Sequence, residues 1–269
     1  MTNEEAARLG VSLIPMPFSV DGQDYFEGVD CTYEHFFELL AAGGNVSTSQ
    51  PSPYSVTSVW DELLKTHDEV VHIPMSSALS SSCSTAMGLA EEYDGRVAVV
   101  DNKRISVTQR ASVLDALTLA ERGLSAQEIR TRLIEDSFNC SIYLAVNTLE
   151  LLKKSGRVTA AGAALATILG LKPVLQIQGE KLDAFAKVRG MAAAESTMLK
   201  ALERDLAERF KGQDMTLYVA YTGEDAPAVE WTKKVSEHFG APVEMYRLPI
   251  SIACHVGAGV KAVGCARLM

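Results

Sequence analysis

The chain has 269 residues, of which 47% are hydrophobic and 22% are charged, the composition of a globular protein with one large or two ordinary domains. Asp and Glu outnumber Lys and Arg by 34 to 25, which gives a net charge of −9. This charge argues against a nucleic-acid partner, because proteins hold the phosphate backbone with an excess of Lys and Arg. The five cysteines form no CxxC pair, which argues against a disulfide framework or a zinc site and predicts free thiols.

The start of the chain, residues 1–10, reads MTNEEAARLG and carries acidic side chains where a signal peptide has basic ones. The most membrane-like uncharged run, residues 158–171, is too short to cross a bilayer. We therefore expect a cytoplasmic protein without a membrane span. Nothing in the sequence requires a cofactor, a metal ion or an oligomer, and we expect a monomer.

Helices and strands alternate along the first half of the chain. Thr32 is predicted to cap one helix, and Ser52 followed by Pro53 predicts the start of the next. Residues 69–74 and 96–101 are apolar strand-like segments on either side of a helical one. This pattern predicts a βαβ unit with parallel strands, and hence an α/β domain.

The second half of the chain mixes strand arrangements. Strand-like segments flank Gly179 and Glu180, which predicts a hairpin and an antiparallel element in the sheet. Residues 215–221 and two later segments are strand-like and alternate with helices. The pattern predicts an α/β protein with one α/β domain over residues 1–150 and a mixed-sheet domain over residues 151–269. No linker-like segment marks the boundary between them, so the boundary is soft.

Residues 73–86, IPMSSALSSSCSTA, carry six serines and a threonine between a predicted strand and a predicted helix. The hydroxyl groups could belong to a flexible linker, a catalytic serine, a phosphate cradle or a set of neutral donors around a carboxylate. Because ligands of open α/β sheets bind where strands end and helices begin, a binding loop is favoured over a linker. Ser80, Ser81 and Ser82 are the candidate donors, and one of them is expected to be the helix N-cap.

A second hydroxyl-rich segment, residues 47–52, also runs into a predicted helix and includes Thr48 and Ser49. The two loops could converge on one small anion. Residues of this type also form ordinary turns, so both interpretations stay open at this point.

The third notable segment is HVGAG at residues 255–259, between two predicted strands. His255 can exchange a proton near neutral pH, and a glycine such as Gly257 lets a ligand approach the backbone closely. The other four histidines have no comparable surroundings and are predicted to be surface or packing residues.

Five segments, in this order over nearly the whole chain, resemble the DegV family, which includes the fatty-acid-binding subunit of bacterial fatty acid kinase. They are TSQPS (48–52), IPMSSALSSSCSTA (73–86), KSGRV (154–158), LKPVLQIQGEKL (171–182) and HVGAG (255–259). The resemblance implies a parallel three-layer α/β/α domain that carries the carboxylate-binding loops. It also implies a mixed-sheet two-layer α/β domain that closes a tunnel for a long-chain fatty acid.

The resemblance also implies roles for residues and partners. Thr48 and Ser80 correspond to family residues that bind the carboxylate. His255 and Arg157 correspond to residues that assist acyl-phosphate formation, while the chain itself is no enzyme and a separate kinase subunit, similar to dihydroxyacetone kinase, phosphorylates the bound acid. Transient contact with an acyltransferase or a membrane is also implied. The candidate ligand-binding residues are Thr48, Ser49, Ser80, Ser81, Ser82, Arg189 and Gly257.

The chain departs from the family pattern in three places. Residues 80–82 read Ser-Ser-Ser instead of Ser-Gly-Thr, which predicts a shifted loop because only glycine allows the closest backbone approach. Ala258 stands where the family has a proline. The family's first strand, which carries an Asp-Ser pair, is not found, and we expect that the chain begins after it.

Two rival functions lack their sequence signatures. A serine hydrolase or acyltransferase with His255 as base would need a G-x-S-x-G elbow, which does not occur in the chain. A nucleotide-binding protein would carry G-x-x-x-x-G-K-[ST] or G-x-G-x-x-G, and both are missing. A serine hydrolase or acyltransferase and a protein that binds a small anion such as phosphate stay as the alternatives to a fatty-acid-binding protein.

Overall fold

The computed structural model of the chain describes residues 1–164, 171–179 and 181–269. The elements of its first part are, in chain order, α1 (Asn3–Leu9), β1 (Pro17–Val20), β2 (Gln23–Phe26), α2 (Tyr33–Ala41), β3 (Val46–Thr48), α3 (Pro53–Leu63), β4 (Val70–His72), α4 (Ser82–Ala90), β5 (Val97–Val99), α5 (Ser106–Glu121) and α6 (Ala126–Glu135). The elements that follow are β6 (Cys140–Ala145), α7 (Glu150–Ser155), α8 (Ala160–Ala163), β7 (Leu171–Ile177), β8 (Asp183–Arg189), α9 (Met191–Glu208), β9 (Met215–Tyr221), α10 (Asp225–Phe239), β10 (Val243–Arg247), α11 (Ile250–Val256) and β11 (Lys261–Arg267).

Two helices of the first part begin at the predicted capping residues. The Thr32 hydroxyl accepts a hydrogen bond of 3.1 Å from the N–H of His35 and caps α2. The Ser52 hydroxyl accepts one of 3.0 Å from the N–H of Ser55, and Pro53 is the first residue of α3. Capping groups satisfy N–H groups that the helix leaves unpaired, so these boundaries follow from local sequence.

Strands β4 and β5 form a parallel pair joined through α4, which confirms the predicted βαβ unit. The prediction that the first part is parallel is wrong for β1, β2 and β3, which form an antiparallel sheet in the order β2-β1-β3. The physical reason is a turn of two residues, Asp21 and Gly22, both with positive φ, that sets Val20 opposite Gln23. An Asp-Gly turn of this kind joins antiparallel neighbours, and the sequence prediction overlooked it.

The largest sheet among the described residues has six strands in the order β10-β9-β11-β6-β7-β8. Strands β9 and β10 are parallel and the other neighbours are antiparallel, which confirms the predicted mixed sheet. Strand β6 pairs with both β11 and β7. Because β6 precedes residue 150, this sheet draws a strand from the N-terminal side of the predicted domain boundary.

The two faces of this sheet are both buried, because side chains alternate along each strand. On one face, Tyr143 of β6 belongs to a hydrophobic cluster with Met198 of α9 and Trp231 of α10. On the other face, Ile142 and Leu144 of β6 belong to a cluster that includes residues of α5, α7 and α11. This second face borders the cavity described below.

The remaining sequence predictions concern the hairpin, the cysteines and membrane spans. Strands β7 and β8 are antiparallel neighbours, as predicted, although Glu180 of the predicted turn and residues 165–170 of the uncharged run lie outside the described residues. All five cysteines are buried and unbridged. Over the described ranges, no helix combines the length and the apolar character needed to span a bilayer.

Candidate functional site

A cavity of about 220 Å³ is lined by residues of four strands of the six-stranded sheet and of helices α7 and α11. Most of the lining is apolar: Met16, Met75, Leu79, Ile105, Ile142, Leu144, Leu152, Ile177, Leu182, Ala220, Leu248, Ile252, Val256 and Ala262. A lining of this kind, with a few converging polar groups, is typical of a site for a small apolar or amphiphilic molecule.

The polar lining residues come from distant parts of the chain, and six of them were predicted from the sequence. They are Thr48, Ser49, Gln50, Ser80, Ser81, Ser106, Arg157, Ser251 and His255. The cavity shares Ser80, Ser81 and Arg157 with an open groove at the surface. We call this shared region, together with Thr48 and His255 of the cavity lining, the mouth of the cavity.

Gln50 joins the two hydroxyl-rich loops that the sequence singled out. Its side-chain oxygen accepts hydrogen bonds from the Ser81 hydroxyl at 3.0 Å and from the Thr85 hydroxyl at 3.1 Å. Gln50 follows β3 in the TSQPS segment, whereas Ser81 and Thr85 lie at the start of α4. The sequence prediction missed Gln50, although its position inside a recognised motif was a usable signal.

The hydroxyl-rich segment before α4, residues 73–81, which we call the serine loop, is folded back on itself. The N–H groups of Leu79 and Ser80 both donate to the carbonyl of Ser76, and the Ser80 hydroxyl accepts a hydrogen bond from the N–H of Ser82 at 3.2 Å. Ser81 occupies the N-cap position of α4, as predicted for one of the three serines, but its side chain bonds to Gln50 and not to the helix. The Ser80 and Ser81 side chains thus reach the mouth.

His255 lies in the last turn of α11, and its Nε2 atom shares a hydrogen bond of 2.9 Å with the Thr48 hydroxyl. Its Nδ1 atom is buried without a hydrogen-bond partner among the described residues. Burial, followed by the nearby positive charge of Arg157, lowers the pKa of His255 to about 4. The imidazole is therefore neutral at pH 7, and no carboxylate of the described chain orients it as in a catalytic triad.

Helix α11 is anchored at its start by Glu27, a residue that the sequence prediction also missed. The Glu27 carboxylate accepts a hydrogen bond of 2.7 Å from the N–H of Ile250, the first residue of α11. Burial raises the pKa of Glu27 above its ordinary value. The contact ties the segment after β2 to the helix that carries His255, and no local sequence signal indicates it because the two residues are 223 positions apart.

Arg157 follows α7, and its side chain reaches the serine loop. Its Nε atom donates to the carbonyl of Leu79 at 3.3 Å, and another guanidinium nitrogen donates to the carbonyl of Ser155. The backbone of Arg157 is held by the N–H of Leu182, which donates to the Arg157 carbonyl at 3.2 Å. The segment before β8 therefore fixes Arg157 at the mouth.

Three predicted site residues do not line the cavity. Ser82 is the first residue of α4, and its N–H, not its side chain, contacts the serine loop. Gly257 ends α11 with φ of 75°, so it serves the helix terminus. Arg189 is exposed and is the last residue of β8. Leu182, which lines the cavity, lies just before the first residue of this strand. At about 3.3 Å per residue, the extended strand puts Arg189 roughly 20 Å from Leu182.

The site therefore combines an apolar cavity with a mouth that offers hydroxyl groups, one neutral imidazole and one guanidinium. Such a mouth can hold a single anionic group through hydrogen bonds from Thr48, Ser80 and Arg157. Within the described residues no cluster of three or more metal-binding side chains occurs. The chemistry indicates an amphiphile with one anionic end.

Comparisons with known proteins give a family match over nearly the whole chain. A family model described as an uncharacterised protein of the DegV family matches residues 1–268. A DegV domain-containing protein from Deinococcus radiodurans is 29% identical over 264 residues, which cover 98% of this chain and 93% of that protein.

Solved structures share the fold. A fatty-acid-binding DegV family protein from Thermus thermophilus superposes with a TM-score of 0.88 at 30% identity and covers 100% of this chain and 96% of that one. A stearic acid-binding protein from Eubacterium ventriosum has the same TM-score of 0.88 at 24% identity, with 99% of this chain and 94% of that one covered. The second likeness concerns the fold alone.

Proposed function

Because the chain belongs to the DegV family, we propose that it binds a long-chain fatty acid, with the hydrocarbon tail in the cavity and the carboxylate at the mouth. The observation that carries this proposal is the continuity between an apolar lining and a polar end built from Thr48, Ser80, Arg157 and His255. The fatty-acid-binding relative from Thermus thermophilus, which has the same fold over the whole chain, supports it.

The binding energy would come mainly from the tail. Each buried methylene contributes about 0.8 kcal/mol, and the cost of ordering the chain offsets part of the sum. Each hydrogen bond to the charged carboxylate contributes roughly 1.5–3 kcal/mol. Without a tail, the few donors at the mouth would hold a small carboxylate only weakly, so the cavity selects for long apolar chains.

The carboxylate would stay ionised, and most of its contacts would be neutral hydrogen-bond donors instead of cations. His255 is neutral at pH 7 because burial lowers its pKa to about 4, and Arg157 is the one cation among the lining residues of the cavity within the described chain. Hydroxyl donors such as Thr48 and Ser80 stabilise the charge without removing it. An oxygen held in this way stays able to react with a phosphoryl donor.

We further propose that the chain presents this carboxylate to a separate kinase subunit and does not catalyse the reaction alone. Arg157 and His255 would then contact the phosphoryl group during transfer. In this scheme residues 1–150 and residues 151–269 form two domains, the protein is a cytoplasmic monomer, and the ligand lies between the domains. Thr48 and Ser80 come from the first of these ranges, and Arg157 and His255 from the second.

The test is mass spectrometry of an organic extract of the purified protein, together with its native mass. We expect one fatty acid per chain, and a large loss of it in the Thr48→Ala, Ser80→Ala double variant. The Thr131→Ala, Ser58→Ala double variant changes the same residue types away from the cavity and serves as the matched control. A wild-type protein that contains no fatty acid and takes up none when it is added would refute the proposal.

A further inference from the structure

The serine loop carries four of the residues that line the apolar cavity, namely Met75, Leu79, Ser80 and Ser81. It is held from behind by residues 101–104, which run Asp-Asn-Lys-Arg between β5 and α5 and which we call the anchor segment. No residue of the anchor segment is among the described residues that line the cavity. An effect of this segment on a bound ligand would therefore pass through the serine loop.

Ser76 and Ser77 make the contacts between the two segments. The N–H of Ser76 donates to the carbonyl of Arg104 at 2.9 Å, and the N–H of Ser77 donates to the Asp101 carboxylate at 3.2 Å. The Lys103 ammonium donates to the Ser77 hydroxyl and, at 2.5 Å, to the second oxygen of Asp101. Lys103, Asp101 and Ser77 thus form a closed ring of hydrogen bonds.

The position of Ser76 is passed on to the mouth within the serine loop. The carbonyl of Ser76 accepts hydrogen bonds from the N–H groups of Leu79 at 3.0 Å and of Ser80 at 3.1 Å. The Ser80 hydroxyl accepts a hydrogen bond from the N–H of Ser82, so its own hydrogen is available to a carboxylate. The direction of this O–H group therefore depends on where the anchor segment holds the loop.

The anchor segment is itself attached to α5 and to the end of α6 by buried side chains. The Arg104 guanidinium is fully buried and pairs with Asp136, the residue that ends α6, at 2.7 Å. Asn102 donates to the Ser112 hydroxyl of α5 at 2.7 Å, and Arg104 donates to the same hydroxyl at 3.3 Å. A buried charge that is paired and hydrogen-bonded in this way favours one arrangement of the backbone.

Lys103 has an unusual backbone conformation. Its φ of 58° lies in the left-handed region, which glycine and asparagine adopt more readily than lysine. Although burial alone would raise the pKa of Asp101, hydrogen bonds from Lys103 and Ser77 hold this pKa below its ordinary value, so the pair is ionised at neutral pH. A lysine in a strained conformation whose ammonium makes two such contacts indicates that the position is used for its side chain.

From these contacts we propose that Lys103 is a positioning residue for the carboxylate of the ligand: together with Asp101 it holds the serine loop so that the Ser80 hydroxyl points into the mouth. The inference rests on the proposed function and extends it to residues that do not touch the ligand. Without the ammonium, Ser77 keeps its backbone bond to Asp101, so the loop stays folded but is held less firmly. Contacts with the hydrocarbon tail, which the apolar lining makes, should not change.

The test compares palmitate with 1-hexadecanol, which has the same tail without a carboxylate, by displacement of a fluorescent fatty acid at pH 8. Lys103→Met keeps the length of the side chain and removes its charge. In this variant we expect palmitate to bind roughly tenfold more weakly and 1-hexadecanol to change by less than about twofold. Lys233→Met, which removes an exposed ion pair with Glu237 on α10, is the matched control and should leave both ligands unchanged.

A second measurement is a double-mutant cycle with Ser80→Ala. Because Lys103 is proposed to act through the Ser80 hydroxyl, Lys103→Met should weaken palmitate by less than about threefold once residue 80 is alanine. Fully additive losses would overturn the role. If 1-hexadecanol binds too weakly to be measured, this cycle decides alone.

The remaining outcomes separate the inference from the function on which it rests. Equal weakening of both ligands in Lys103→Met would assign the lysine to the fold, and no weakening of palmitate would leave it without a role at the mouth. Either result overturns the inference while the proposed function stands, because palmitate still binds the wild type. Failure of palmitate to bind the wild type overturns the proposed function, and the inference with it.

Discussion

Thr48 and His255 share a hydrogen bond of 2.9 Å between Oγ1 and Nε2, although they are 207 positions apart in the chain. Thr48 ends a strand of the small antiparallel sheet, and His255 lies in the last turn of α11. The bond holds the loop after β3 against that helix. It also turns the Nε2 atom of the imidazole toward the loop and so fixes the orientation of the His255 ring at the mouth of the cavity.

Replacement of Thr48 by valine keeps the shape of the side chain but removes this bond. A buried polar atom without a partner costs roughly 1–3 kcal/mol, so we expect Thr48→Val to lower the free energy of unfolding by about that amount. Fatty-acid affinity should fall as well, because the proposed hydrogen bond from Thr48 to the carboxylate is lost. Denaturant unfolding and a lipid-binding assay measure the two effects, with Thr131→Val as control, and unchanged values for both would contradict the assigned bond.

The pKa of His255, lowered to about 4, predicts a pH dependence of stability. In the unfolded state His255 has an ordinary pKa near 6.5, so between pH 4 and 6.5 the unfolded state binds more protons than the folded state. The contribution of the neutral His255 ring to the free energy of unfolding is therefore complete above pH 6.5 and is lost as the pH falls toward 4. Between pH 7.5 and 5 we expect the wild type to lose roughly 1–2 kcal/mol more than His255→Asn. Burial also lowers the pKa of His72 to about 4. Because His72 is present in both proteins, its effect on stability cancels in the comparison.

The direct measurement for this prediction is an NMR titration of the His255 ring. A neutral imidazole at pH 6 is the expected result. A charged ring at that pH would mean that a counter-ion, not burial, controls the group.

Gln50 should act by positioning the two loops that meet at the mouth. Gln50→Met keeps the length of the side chain but removes the acceptor for the Ser81 and Thr85 hydroxyls. We expect fatty-acid affinity to fall about five- to tenfold, with a stability loss of about 1 kcal/mol. Gln127→Met, which removes one exposed hydrogen bond to Gly95, is the control. Equal affinities in the two variants would count against a positioning role.

Glu27 should control the placement of α11 through its bond to the N–H of Ile250. Glu27→Ala removes the acceptor and is expected to cost about 1 kcal/mol, as for the loss of a helix cap. Glu27→Gln keeps an acceptor oxygen and removes a buried charge, so it should be at least as stable as the wild type at pH 8. The comparison uses thermal unfolding, and equal losses in both variants would show that the carboxylate charge matters more than the cap.

Ala262 should limit how much tail the cavity accepts. It lies opposite Ala220 on neighbouring strands, and both line the cavity. In Ala262→Leu, the three added carbons occupy space that the tail would use, so binding of an 18-carbon acid should weaken roughly tenfold relative to a 12-carbon acid. Ala262→Val should give an intermediate shift. Equal weakening for both chain lengths would place the tail elsewhere.

Much of the local structure could be predicted from the sequence. Thr32 and Ser52 cap helices where expected because a capping hydroxyl and the N–H it satisfies lie three residues apart. The parallel pair β4 and β5 follows from the alternation of apolar strand, helix and strand. The same alternation predicts that the serine loop lies between β4 and the start of α4. Strand ends and helix starts meet at the same edge of a sheet, which is where ligands bind.

Errors arose where strand pairing decides the outcome. The parallel first part was expected from the βαβ unit, whereas the Asp21-Gly22 turn makes β1 and β2 antiparallel. Arg189 was expected near the site, yet β8 carries it away from Leu182, since a strand fixes its two ends far apart. A motif alone does not reveal such distances.

The sequence by itself determined the elements, their caps and the hydroxyl-rich loops, because those depend on groups only a few residues apart. The tertiary structure alone decided that Thr48 meets His255 and that Glu27 holds α11. These pairs are separated by more than 200 residues, and their contacts exist only after sheets and helices pack and exclude water. The mouth of the cavity is therefore a product of packing.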